Sequence, residues 1–99
     1  MKELSPCRVE TIEKLIVRAS EIYGVEVVNI KARTKKPVAC IAREVVWFIC
    51  RKDYSMGLQC LGDYFNGRNH KTVYKGIEAI GREIAVNKQR LMEVMEVGR

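Results

Sequence analysis

The sequence predicts an all-α fold, a small bundle of about five helices that contains a helix-turn-helix. Three observations predict it. Apolar residues recur at three-and-four spacing in several separate segments, as amphipathic helices require. Only Val25 to Ile30 is rich enough in β-branched residues to pass for a strand, and no second strand is available to pair with it. A short apolar-faced segment is joined to a longer one by the turn Asn66-Gly67-Arg68-Asn69, and such a pair reads as a helix-turn-helix. The 99 residues suit one domain over 1–99, with enough chain to bury one core.

The first helix is expected over about 6–23. Ser5 is placed to cap it, and Pro6 suits a first helical position because its missing N–H has no partner there anyway. Val9, Ile12, Leu15, Ile16, Ala19, Ile22 and Tyr23 form its apolar stripe, and Gly24 supplies a left-handed stop. Val25 to Ile30 reads as a short helical turn or an extended connector. Lys31-Ala32-Arg33-Thr34-Lys35-Lys36 comes next as a basic loop without a carboxylate.

Pro37 opens a second helix over about 37–52. Its run Val45-Val46-Trp47-Phe48-Ile49-Cys50 is apolar all round, which marks the central, most buried element. Inside that run, Trp47 is expected in the core rather than as a stacking platform. Leu58, Leu61, Tyr64 and Phe65 give a short helix over about 58–65, and Val73, Ile77, Ile80 and Ile84 stripe a longer one over about 70–85. Between them Gly67 accepts positive φ and Asn69 caps the longer helix. Close helix packing accounts for Gly76 and Gly81. Asn87 interrupts or caps before a last helix over about 88–97, where Leu91, Met92 and Met95 are expected mainly in the core, with an adaptable apolar patch for a partner from Met92 and Met95 as the alternative.

Charge is segregated along this scaffold. Eighteen Lys and Arg oppose twelve Asp and Glu, a net of +6. Residues 1–30 carry −1, 31–57 carry +5, 58–77 carry +2, and 78–99 are balanced. Positive charge concentrated in the middle of a chain favours a polyanion, because neutralised phosphates release condensed counterions. The start of the second motif helix, Arg68-Asn69-His70-Lys71-Thr72-Val73-Tyr74-Lys75, supplies donors, acceptors and a methyl suited to base edges and phosphate. The bland alternative makes Asn69 only a cap and the lysines a solvated face. The basic loop tips the balance to double-stranded DNA.

Phe65-Asn66-Gly67-Arg68-Asn69-His70-Lys71-Thr72-Val73 resembles the signature of the C-terminal DNA-binding domain of the bacterial chromosomal replication initiators, the DnaA family, which commonly reads F-G-G-R-D-H-T-T-V. Leu58-Gln59-Cys60-Leu61-Gly62 is similar to that family's L-P-x-I-G, and Val38-Ala39 with Ala42-Arg43 to its V-A-x-P-R. The resemblance implies that His70 and Thr72 read bases in the major groove, that Asn69 stands for a base-contacting Asp, and that Lys71 and Lys75 lie at contact positions. It implies phosphate binding by Arg43 and Arg51, and backbone approach by Leu58 and Gln59. Arg33 or Lys35, beside Lys36, answers to a basic-loop arginine that enters the minor groove. Arg68 completes the turn. Asn69 for Asp and Lys71 for Thr trade sequence discrimination for phosphate attraction, so the family's usual box, resembling TTATCCACA, need not be the preferred target. The tryptophan repressor has a similar helical arrangement, but nothing here indicates a corepressor pocket.

Other function classes fare worse. There is no phosphate-binding loop of the Gly-rich Lys-Ser/Thr kind, so ATP hydrolysis and origin melting are not expected. One histidine excludes a multi-histidine metal site, and no catalytic residue, cofactor or metal is expected. Neither a membrane span nor the apolar stretch of a secretion signal is present. The four cysteines at 7, 40, 50 and 60 have no paired C-x-x-C spacing, so free thiols in a reduced, cytoplasmic, nucleoid-associated domain are expected. A protein-interaction or regulatory module that kept the fold is the rival reading, with a protein partner or a second copy bound in place of specific DNA.

Overall fold

The structure, a computed structural model, describes residues 8–99. Six helices run in order along it: α1 (Val9–Tyr23), α2 (Val27–Lys31), α3 (Pro37–Tyr54), α4 (Leu58–Tyr64), α5 (His70–Val86) and α6 (Lys88–Gly98). The expected caps Ser5 and Pro6, like Cys7, lie outside the described residues. Gly24 ends α1 in the left-handed conformation, at φ 65°. The β-branched stretch after it is the helical turn α2, whose buried Ile30 anchors it to the core. Pro37 sits in the first turn of α3 as expected, and the helix continues to Tyr54, two residues further than the apolar pattern reaches.

α3 is the central element and packs against α1 and α5, with α2 and α6 also in contact. Its Val45, Val46, Trp47, Ile49 and Cys50 are buried, while Phe48 is half-buried. Trp47 meets Phe65 edge to face, ring centroids 5.6 Å apart, so the tryptophan is a core residue. Gly76 makes the α3–α5 approach possible, since a Cβ there would lie 2.9 Å from the Trp47 ring and from Cγ of Glu44. Gly81 differs: its Cβ would meet only Phe48, at an ordinary 3.6 Å.

Three expectations need correction. The apolar stripe of α1 places Val9 inward, but it is 51 % exposed, because α1 has only just begun there. Leu91, Met92 and Met95, expected mainly in the core, are 38 %, 64 % and 60 % exposed. Val94 and Val97 are the buried pair of α6. The helix is turned that way by Arg90, which bonds Glu83 of α5 at 3.0 Å and Glu93 at 2.6 Å and also donates to the Tyr23 hydroxyl of α1 at 3.4 Å. Finally, Cys40 and Cys50 are free thiols, but Cys60 is disulfide-bonded. Missing C-x-x-C spacing says nothing about cysteines that a fold brings together.

Asn87 closes α5 and opens α6: its N–H reaches the Glu83 carbonyl, and its side chain accepts from the Arg90 N–H at 3.1 Å. No helix among the described residues is long and apolar enough to cross a membrane.

Candidate nucleic-acid interface

The turn between α4 and α5 is built by three local requirements. Asn66 and Gly67 both adopt positive φ, 64° and 66°, where asparagine and glycine are the residues best tolerated. Gly62 lets the chain fold back on α4. The Arg68 N–H donates to its carbonyl at 2.8 Å, and a Cβ on Gly62 would lie only 2.1 Å from the Arg68 oxygen. Asn69 then caps α5, its side-chain oxygen accepting from the Lys71 N–H at 2.7 Å.

Beyond that cap the helix presents a row of polar residues outward. Asn69, His70, Lys71, Thr72 and Lys75 are exposed, whereas Val73, Gly76 and Ile77 face the core. Lys71 and Lys75 lie one turn apart on the outward side. Tyr74 lies beside them, 50 % exposed, and donates its hydroxyl to Glu78 at 2.9 Å. That bond, with the Glu78 charge, holds the phenol above its ordinary pKa. Tyr74 belongs to the polar stretch that opens α5 but is not among the expected site residues.

The basic loop lies against this turn. Arg33 Nη2 donates to the Asn66 carbonyl at 3.0 Å and to that of Gly67 at 3.4 Å. Asn66 Nδ2 donates back to the Lys31 carbonyl at 3.0 Å, and Arg68 Nη2 to that of Ala32 at 2.9 Å. Segments more than thirty residues apart are thus fastened together by side chain–backbone bonds. No sequence spacing could have shown this, and Asn66 is not among the expected site residues.

Arg43 departs most from expectation. Placed at a phosphate by resemblance, it is 3 % exposed. Its Nε donates to the Ile30 carbonyl at 2.7 Å; Nη2 reaches those of Ala32 at 2.7 Å, Asn29 at 3.1 Å and Thr34 at 3.4 Å. The guanidinium therefore caps the negative end of α2 and draws the adjoining loop around itself. As folded, it is not available to a phosphate. Arg68 is similar in kind. It is half-buried over the Trp47 ring at 6.0 Å, and burial, with Arg43 and Arg33 nearby, lowers its pKa from the ordinary arginine value. Arg51 is also half-buried and donates to the Met56 carbonyl at 3.0 Å.

The remaining cations are free of such structural duties or keep their charge outward. Arg33, Lys35, Lys36, Lys71 and Lys75 are exposed and, among the described residues, form no ion pair. Glu13, Glu78, Glu83, Glu93 and Glu96 are engaged elsewhere, on Lys31, Arg82, Arg90 and Arg99. Gln59 is exposed and Leu58 half-buried at the start of α4. No group of three or more His, Cys, Asp or Glu among the described residues is arranged to hold a metal.

Comparison with known proteins agrees with this geometry. The chain is 32 % identical over 85 residues to the chromosomal replication initiator protein DnaA of Chloroflexus aggregans, covering 86 % of this chain and 18 % of the relative. It is 31 % identical over 77 residues to that of Porphyromonas gingivalis, covering 78 % and 16 %. For Streptococcus pyogenes serotype M5 the figures are 30 % over 83 residues, covering 84 % and 18 %. The chain thus spans less than a fifth of the length of these curated relatives. The family profile described as "Bacterial dnaA protein helix-turn-helix" matches residues 10–80, a span that takes in the basic loop, the Gly62 fold-back and the α4–turn–α5 motif. The chain belongs to the bacterial dnaA protein helix-turn-helix family.

Proposed function

We propose that this domain binds double-stranded DNA, with the first turns of α5 in the major groove and the 32–36 loop directed at the adjacent minor groove. The observation that carries the reading is the fastening of loop to turn through Arg33, Asn66 and Arg68. Two recognition elements held rigidly side by side address two neighbouring grooves without an ordering cost on binding. His70 and Thr72 read base edges, and Asn69 does so while capping the helix. Lys71, Lys75, Lys35, Lys36 and Arg51 neutralise phosphates, and Leu58 and Gln59 set α4 against the backbone. Of the two minor-groove candidates, Lys35 enters the groove, since Arg33 is held on the turn. Arg43 and Arg68 act on DNA indirectly, as the residues that position the loop.

Fluorescence anisotropy tests this with a labelled duplex carrying TTATCCACA and a scrambled duplex of equal composition. If about five phosphates are neutralised, log affinity falls against log salt with a slope of about −4 to −5. A flat salt response, or no retention at low salt, contradicts the proposal. Arg43→Met is expected to weaken both duplexes together, since it loosens the loop rather than a base contact.

A further inference from the structure

A second surface lies on the flank of α5, towards its far end. Phe48 of α3, Leu58 of α4, and Tyr74, Ile77, Gly81 and Ala85 of α5 give an open groove of about 620 Å³ its mainly apolar lining. The exposed Lys52 and Arg82 and the half-buried Arg51 also line it. The one carboxylate lining it, Glu78, is already engaged by the Tyr74 hydroxyl at 2.9 Å and by Arg82 at 3.9 Å. The groove is therefore mainly apolar and net positive.

Gly81 supplies an independent argument. Glycine inside a helix weakens it, and Gly76 is kept for a packing reason that Gly81 lacks, since an added Cβ at 81 would make only an ordinary 3.6 Å contact with Phe48. The missing side chain keeps the groove open. We propose that this groove docks an acidic amphipathic helix of a partner protein, with bulky apolar side chains on its apolar lining and carboxylates against Arg51, Lys52 and Arg82. Recognition of that kind uses apolar anchors at i, i+3 or i+4, and i+7. Arg51 and Leu58 are shared with the proposed DNA face, but a nucleic-acid backbone there would leave Phe48, Ile77, Gly81 and Ala85 unused. A second copy of this chain is disfavoured by its own net charge of +6.

The test is selection of a phage-displayed random 16-residue peptide library on the whole chain without DNA. The expected outcome is enrichment of net-negative sequences with Leu, Phe or Trp at helical spacing. Their affinity should fall at least tenfold in Gly81→Leu, which fills the groove, and in the double variant Lys52→Glu, Arg82→Glu. The double variant alters exposed side chains only, so it keeps the test valid should Gly81→Leu fold poorly. Duplex DNA affinity of Gly81→Leu should stay within about twofold of the parent. No enrichment, enrichment of basic peptides, or binding insensitive to both variants overturns the proposal. Loss of DNA binding in a Gly81→Leu variant that keeps the helical circular-dichroism spectrum of the parent also overturns it, and assigns the groove to the nucleic-acid face.

Discussion

At the scale of single residues, the two glycines Gly62 and Gly81 make opposite predictions. The space beside Gly62 is filled by a main-chain oxygen, 2.1 Å from where a Cβ would stand, and backbone cannot move aside as a flexible side chain can. Gly62→Ala should therefore cost about 2–3 kcal/mol in urea unfolding and loosen the α4–α5 turn with it. Gly81→Ala meets no obstacle and should stabilise the protein by about 0.5–1 kcal/mol through helix propensity alone. Equal effects at the two sites would refute the packing described here. Tyr23 gives a pH-dependent prediction. Its pKa is pushed up to about 12, first by burial and then by Glu93, against the opposing pull of Arg90. The protonated phenol is the favoured form in the fold, so its contribution is complete below the ordinary value of 10.0 and is lost as pH rises through about 12. Ultraviolet titration should show one tyrosine ionising near 12, absent in Tyr23→Phe; ionisation at the ordinary value would contradict the buried network.

At the scale of elements, α2 and the loop after it depend on one guanidinium. Arg43 satisfies carbonyls at Asn29, Ile30 and Ala32, and its removal would take this donor from those at Asn29 and Ile30, while Arg68 still serves Ala32. Arg43→Met should cost about 3 kcal/mol, and Arg43→Lys should rescue only part, because a point-like ammonium cannot span several separate carbonyls. The sequence announced most of the helices because their ends carry chemistry that local rules read: Gly24, Pro37, Gly67, Asn69 and Asn87 all act where those rules place them. The rotation of α6 was not legible. Leu91, Met92 and Met95 compete with Val94 and Val97 for the inward side, and the choice rests with Arg90 and its partners on other helices. Arg43 left a signal that was readable in principle. It falls four residues after buried Ala39 and three before buried Val46, so an arginine stands in the apolar stripe of α3. Resemblance to a phosphate-binding position points the other way, and the periodicity is the better guide.

At the scale of the whole molecule, the charge segregation along the chain becomes a division of labour between surfaces. Five glutamates are spent in ion pairs on Lys31, Arg82, Arg90 and Arg99, and the loop and the outward side of α5 keep cations that join none of these pairs. The exposed pairs Arg82–Glu78 and Arg99–Glu96 add little stability, whereas the more buried Arg90 pairs hold α6 against α5. A single module of this size is expected to bury about 600–1,000 Å² on a duplex, which limits affinity and leaves specificity to a few residues. Lys71→Thr should accordingly lower affinity for all duplexes and reduce the salt slope by about 1, while sharpening preference among them.

The central claim is that α5 and the fastened loop together read a short duplex site. Selection from a random duplex library at moderate salt tests it most directly, run in parallel on the parent, His70→Ala and Lys35→Ala. The expected result is one enriched short motif, whose information content falls in His70→Ala and whose affinity, more than its sequence, falls in Lys35→Ala. Unenriched DNA recovered equally by all three proteins, or no DNA retained at all, would contradict it.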